Sequence, residues 1–363
     1  MRRGWMSSMT SDSTVVHEAA PVRIALLGCG AIGEIVARNV YSDAEKRGYE
    51  VVAVIDRDPE RARTVATLLG VEAHASLASV QQSMEVDAVD IRLPHDAHSA
   101  ALLESLERGL HVLVEKPLAT TLEHGRRMRD AVLSHDRVVA VAENYPHLLA
   151  VSAARKAIAA NRIGEILTIR STRAFTLDGI WVRGDWRVGP GQSAGILLDQ
   201  GTHHTSLLRA LGGEIVSVAA QSSAPAVSPN RGVNPETVVV TARFASGLVA
   251  HSLYCWGTPA VGIECEGVVF GTEGRLEIRV SYESCDGCAV LVDGSERAPT
   301  SISAPENYYD SHRSIILDWV SAIRDGHVPR VTVADALKDL EVVIAARQSV
   351  ELDGAIVRIG ERA

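Results

Sequence analysis

The chain is short of lysine: four stand among its 363 residues, against 32 arginines. It is also short of cysteine, with Cys29, Cys255, Cys265, Cys285 and Cys288 scattered along its length. An odd, scattered set excludes a disulfide framework and fits reduced thiols. Cys285-Asp286-Gly287-Cys288 is a lone pair at CxxC spacing. Structural zinc takes four ligands, so this pair reads as a turn between strands and no metal site is expected. An excess of positive charge is lacking too. The net charge of -9 argues against a nucleic-acid or anionic-membrane partner, because both are held by basic faces. No apolar run approaches the roughly 20 residues that a membrane helix needs. Residues 1–20 open with Met1-Arg2-Arg3 but run on through Ser, Thr and Asp without the apolar core of a secretion signal. A disordered tail over 1–20 and a cytoplasmic location are the expectations.

What is present is a long apolar-rich chain, 46% hydrophobic, enough for two cores. Residues 23–27 form a short apolar strand, followed at once by Gly28-Cys29-Gly30-Ala31-Ile32-Gly33 and a helical stretch to about residue 40. Between strand and helix, such glycines have distinct uses: Gly28 permits the tight turn, Gly30 lets backbone approach a pyrophosphate and Gly33 lets helix pack on strand. The second strand, 51–55, ends in Asp56, placed for a carboxylate that accepts from adenosine ribose hydroxyls. A carboxylate there repels a 2'-phosphate and favours NAD over NADP. Arg57 follows and offers that phosphate a partner, or adenine a stacking plane. Asp58 before Pro59 is the better candidate for the following helix cap.

Strand and helix go on alternating: helix 59–69, strand 87–93, helix 97–108, strand 111–115, helix 121–134 and strand 138–142. Short links between them predict a parallel, doubly wound Rossmann sheet over 21–145. Leu93, Pro94, His95 and His98 fall where the fourth strand ends, where they serve either the cofactor or helix packing. Lys116 follows the next strand in Glu115-Lys116-Pro117, at the sheet edge where such folds hold ligands. An arginine there could not give up a proton; a lysine can, so the scarce residue reads as chosen for its chemistry.

After Asn144 the pattern changes. A helix over 150–160 leads into β-rich runs at 167–175, 215–221, 237–244, 248–256, 262–270 and 275–280, then two closing helices at 309–324 and 333–352. Short turns between strands predict a large, mostly antiparallel open sheet in an α/β domain over 146–363, with helices that cover it or pack back on the first domain. Asp199 and His203 stand four apart, on one face if helical. Alone they read as a cap and a packed histidine; with Lys116 they read as a site. Imidazole is the natural base near neutral pH, the carboxylate bonds a hydroxyl or orients the ring, and the lysine polarises the reacting oxygen.

Together the glycine loop at 28–33, Asp56, His98, Glu115-Lys116-Pro117, Ile163-Gly164-Glu165-Ile166, Trp186-Arg187 and the Asp199/His203 pair resemble the glucose-fructose oxidoreductase, inositol dehydrogenase and rhizopine-catabolism family, over nearly all of residues 22–359. The resemblance implies catalysis by Lys116, Asp199 and His203, with His203 as acid/base. It implies NAD, or NADP second, against Gly28, Cys29, Gly30, Ala31, Ile32, Gly33, Asp56, Arg57, Leu93, Pro94, His98, Glu115, Lys116 and Asn144. The substrate is expected against Lys116, Tyr145, Trp186, Arg187, Asp199, His203 and His204, with the insert 175–191 as a pocket wall. A homodimer or homotetramer is implied as well.

The chain departs from the family pattern at Ser193-Ala194-Gly195, where consecutive glycines are common, at Ser206, where an aspartate often stands, and at Pro146-His147, where an Arg-Phe pair is usual. These changes bear on substrate identity. The expected activity is hydride transfer between a nicotinamide and a secondary hydroxyl or keto carbon of a sugar, aminosugar, glycoside or cyclitol. Two alternatives remain at this stage: glycosidic cleavage through a transient keto intermediate, and a non-catalytic nucleotide sensor. Intact Lys116, Asp199 and His203 argue against the sensor.

Overall fold

A computed structural model of the chain describes residues 20–42, 48–175, 195–223, 237–256, 264–282, 284–293 and 299–360. The expected tail over 1–20, apart from residue 20, and most of the insert, with Trp186 and Arg187, lie outside the described residues.

The first sheet is built from β1 (Val22–Leu27), β2 (Tyr49–Ile55), β3 (Glu72–His74), β4 (Ala88–Ile91), β5 (His111–Glu115) and β6 (Val139–Ala142), all parallel, in the order β3-β2-β1-β4-β5-β6. Its helices are α1 (Ala31–Val36), α2 (Pro59–Leu69), α3 (Leu77–Ser83), α4 (His98–Glu107) and α5 (Leu122–Ser134). The strands β4, β5 and β6 are mostly apolar and buried almost throughout, as a sheet covered on both faces requires. Asp58 caps α2, accepting from the backbone N–H of Glu60 and Arg61, with Pro59 in the first turn. Two expectations change here. The strand foreseen over 87–93 ends at Ile91, because Arg92 turns into a buried ion network and Pro94 has no N–H to donate. The helix after the glycine loop widens into a π turn over Ala37–Tyr41, which sets the Tyr41 hydroxyl 2.7 Å from Asp90.

The second part opens with α6 (Leu149–Ala159) and β7 (Ile166–Ala174), then α7 (Thr202–Gly212), β8 (Ile215–Ser222), β9 (Thr237–Phe244), β10 (Val249–Cys255), β11 (Glu264–Gly271), β12 (Gly274–Val280), β13 (Cys288–Asp293) and β14 (Thr300–Ser301). The chain closes with α8 (Asp310–Asp325), α9 (Val333–Glu351) and β15 (Val357–Arg358). The second sheet runs β14-β13-β12-β11-β7-β10-β9-β8-β15. It is antiparallel throughout the described pairs except that β7 and β10 are parallel, which the long connection between them through α7, β8 and β9 permits. The strands β13, β14 and β15 were not foreseen, and Cys285 to Gly287 form the connection from β12 into β13.

The two closing helices take different places. Ile315, Ile316, Trp319 and Val320 of α8 share a buried cluster with Ile24, Leu26, Val54 and Leu113 of the first sheet. By contrast, α9 packs on β8, α5 and α7, with Leu340 and Val343 in the larger core. The N-terminal end of α8 therefore lies over the carboxyl edge of the parallel sheet.

Candidate active site

The glycine loop follows from steric limits at two positions. Gly28 has φ +105°, and a Cβ there would stand 2.5 Å from the Arg92 carbonyl oxygen. A Cβ on Gly33 would overlap the Gly28 carbonyl oxygen, so only glycine lets α1 settle on β1. Gly30 is different. A Cβ there would meet nothing within 4 Å, so this residue faces an open cradle that a side chain would fill. Asp56 ties the loop down, accepting from the Cys29 N–H at 2.7 Å and the Asp58 N–H at 2.8 Å. Each carboxylate oxygen retains a lone pair for a ribose hydroxyl. Arg57 beside it is exposed. This donor and acceptor set fits a dinucleotide.

Three parallel strands deliver the next residues. Beyond β4, His98 is fully buried, with its ring nitrogens 2.8 Å from the Pro117 carbonyl and 2.9 Å from that of Leu93. Its ring thus lies between the loops after β4 and β5, with a carbonyl oxygen against each nitrogen. Beyond β5, Glu115 holds Arg92 at 2.6 Å, and Arg92 also holds Asp90 at 2.7 Å. The Glu115 carboxylate, expected against the cofactor, is engaged in this buried network. Lys116, joined to Pro117 by a cis peptide, donates from Nζ to the Asp199 carbonyl at 2.7 Å and to Asp199 Oδ1 at 3.2 Å.

Asp199 sits in a π turn, Leu197–Gly201, that runs straight into α7. The Asp-x-x-x-His spacing is therefore not one regular helix, yet both side chains are buried at the same site. Asp199 also accepts from Gln200 at 3.2 Å and has His95 Nε2 at 3.6 Å. The sequence left Asp199 either to bind a hydroxyl or to orient His203. Another residue holds the ring: Glu143, at the end of β6, places Oε1 and Oε2 at 2.7 and 3.0 Å from His203 Nδ1. On the far side of the ring, Nε2 faces the Tyr308 hydroxyl at 3.4 Å. Burial pushes the Glu143 carboxyl up to about 8, partly opposed by the Lys116 charge. Burial, aided by Lys116, holds the His203 imidazole well below its ordinary value. Both shifts favour the uncharged forms.

Beneath this lies another buried carboxylate. Glu266 of β11 accepts from Arg173 at 2.7 Å and Tyr282 at 2.8 Å, is bonded by the Tyr145 hydroxyl, and has His204 Nε2 at 3.3 Å. The Tyr145 hydroxyl and His204 Nε2, on two residues expected against substrate, thus face the Glu266 carboxylate. The Arg173 guanidinium is stacked between the rings of Phe175 and Tyr282, at 4.4 and 4.3 Å. Asn144 donates to Ser311 of α8 at 2.7 Å, linking the end of β6 to the closing helix. Sequence reasoning missed Glu143, Tyr308, Arg173 and Glu266. Only Glu143, three residues before Pro146 and at the end of a foreseen strand, carried a positional signal.

Comparison with known proteins places these residues in context. Residues 22–143 match a family model described as an oxidoreductase family with an NAD-binding Rossmann fold, GFO/IDH/MocA, and residues 151–277 match the C-terminal domain of the same group. The chain is 30% identical over 327 residues to the 1,5-anhydro-D-fructose reductase of Ensifer adhaerens, covering 87% of this chain and 94% of that one. It is 28% identical to the inositol 2-dehydrogenase of Rhizobium meliloti, covering 91% and 97%. Among solved structures, levoglucosan dehydrogenase with NADH and levoglucosan superposes with a TM-score of 0.81 at 24% identity, covering 94% of this chain and all of that one. An inositol dehydrogenase homologue of Azotobacter vinelandii, bound to NADH and myo-inositol, gives 0.78 at 22%, covering 94% and 98%. These two structural likenesses speak to the fold.

Proposed function

From the premise that this chain belongs to the GFO/IDH/MocA oxidoreductase family, whose N-terminal part is an NAD-binding Rossmann fold, we propose that it is a dehydrogenase or ketoreductase acting at a secondary hydroxyl or keto carbon of a sugar, aminosugar, glycoside or cyclitol. The observation that carries the reading is the gathering of Lys116, Asp199 and His203 at the carboxyl edge of the parallel sheet, with Lys116 bonded to Asp199 and its charge acting on the His203 ring. The names of the relatives support the substrate class: a reductase of an anhydro-sugar and a dehydrogenase of inositol.

NAD, when bound, supplies the acceptor for the hydrogen and electron pair that leave the substrate carbon. The chain's own residues handle the rest. Gly28 to Gly33 admit the phosphates and Asp56 binds the ribose diol. Lys116, oriented by both oxygens it touches on Asp199, donates to the reacting oxygen and stabilises the charge that develops on it. His203 Nε2 takes the hydroxyl proton in oxidation and returns it in reduction. Asp199, beside Lys116, is placed to accept from a neighbouring hydroxyl. Domain limits of 21–145 and 146–363 suit this division of labour, with the second part supplying Asp199 and His203.

An absorbance screen for NADH formation across neutral sugars, aminosugars, glycosides and cyclitols, run with NAD and NADP, tests the reading. Turnover of at least one such polyol is expected. Release of a cleaved sugar without net NADH would instead support the elimination alternative.

A further inference from the structure

The sequence offered His203 as acid/base with Asp199 either to bind a hydroxyl or to orient the ring, but a different carboxylate holds it. Both carboxylate oxygens of Glu143 lie within 3.0 Å of Nδ1. Glu143 is 2% exposed and His203 5%, so water does not compete for that contact. One carboxylate oxygen also accepts from the Tyr145 N–H at 3.1 Å, which fixes the carboxylate against the β6 end. With Nδ1 so engaged, Nε2 is the only ring atom that can exchange a proton with substrate.

Resting on the dehydrogenase reading above, we propose that Glu143 is the positioning residue of the acid/base centre, setting the His203 tautomer and carrying the proton that the ring gives up at Nδ1. The balance is simple. In oxidation the pair starts as carboxylate and Nδ1–H imidazole, with a lone pair on Nε2. The substrate O–H bond breaks and its proton bonds to Nε2. The Nδ1–H bond breaks and its proton bonds to the Glu143 carboxylate. The pair ends as a carboxylic acid beside an Nε2–H imidazole, one proton richer, and neither member is left with an unpaired charge in the buried site. Carbonyl reduction runs the same transfers backwards, Nε2–H protonating the alkoxide.

The two forms of the pair are therefore a base form for oxidation and an acid form for reduction, separated by one ionisation. Burial raises that carboxyl to about 8. The groups facing the pair are Lys116 and Glu115 from the end of β5, Asp199 and His204 beside His203, Arg173 of β7, Tyr308 just before α8, His312 of α8, and Asp339 of α9. Burial keeps His204 and His312 neutral above their depressed values, and Tyr308 protonated below its raised one. The sign follows: a raised carboxyl supplies the base form only as pH climbs through its value. Oxidation should rise, and reduction fall, through one step near 8.

Glu143→Gln tests the idea, with Glu143→Asp as the conservative partner. The amide can still bond Nδ1 but cannot carry the proton. For Glu143→Gln, kcat should fall roughly 10-fold to 1,000-fold with the step in the pH profile gone, while NAD affinity by fluorescence titration stays within about twofold. Glu143→Asp should retain the step at reduced kcat. In parallel, nitrogen-15 NMR of the histidine rings, with His203 assigned by its loss in His203→Asn, should show the tautomer switching with pH in the wild type and not in Glu143→Gln. An unchanged pH step, or an unchanged tautomer titration, in Glu143→Gln overturns the proposal. A wild-type protein that shows the tautomer switch yet oxidises or reduces no polyol overturns the dehydrogenase reading instead.

Discussion

Asp56 combines two jobs that pull on one carboxylate. It anchors the glycine loop through the Cys29 N–H and, in the proposed function, also binds the adenosine ribose. Asp56→Ser should raise the KM for NAD about 10-fold or more, because hydrogen bonds to a charged acceptor contribute roughly 1.5–3 kcal/mol each. It should also narrow the preference for NAD over NADP, read as the ratio of kcat/KM values. A wild-type preference for NADP would sink the assignment and point to Arg57. At this scale the sequence was legible where function needs neighbours in the chain: the glycines, Asp56 and Lys116 sit in short contiguous motifs. It was illegible where the partner comes from elsewhere. Glu143 and His203 lie 60 positions apart, and Tyr308 a further 105. No local pattern marks a carboxylate as the partner of a distant ring.

At the scale of elements, tight packing at the glycine loop decides whether the cradle forms. Gly33→Ala would drive a methyl into the Gly28 carbonyl oxygen, so α1 must lift from β1. Overpacking of this kind costs about 1–3 kcal/mol. Lower thermal stability and at least a tenfold loss of NAD affinity are expected by melting and fluorescence titration. Wild-type values for both would contradict the packing argument. Strand and helix order was readable from apolar runs and their breaks, and β5 and β9 fall at the residues foreseen. The misses have physical causes. Two-residue strands such as β14 and β15 carry no periodicity, and the π turns at Ala37–Tyr41 and Leu197–Gly201 differ from α-helix by one inserted residue that side-chain patterning does not record.

At the scale of the molecule, the candidate site draws on both parts of the chain: the parallel sheet supplies Lys116 and Glu143, the other part supplies Asp199, His203 and the Glu266 floor, and Asn144 ties the end of β6 to α8. The open sheet has a further consequence. In β9 the side chains alternate, with Val238, Val240, Ala242 and Phe244 buried, while Val239 is 46% exposed and Leu167 of β7 is 60% exposed. An exposed sheet carrying such residues is suited to pairing with a second copy. A dimer or tetramer is expected by light scattering at micromolar concentration, and Val239→Lys should weaken it. A stable monomer would refute the assembly without touching the chemistry.

The chemistry stands or falls with Lys116. Its contacts with Asp199 would also suit a lysine that merely closes a strand, so geometry must be followed by turnover. The direct measurement is the rate of NADH formation by the wild type, Lys116→Ala and Lys116→Arg on one accepted polyol, with NAD affinity measured beside it. The account predicts a loss of roughly 100-fold to 10,000-fold in kcat for Lys116→Ala and nearly as much for Lys116→Arg, which keeps the charge but not the compact, exchangeable ammonium, while NAD still binds. Near-wild-type turnover by Lys116→Ala would contradict it.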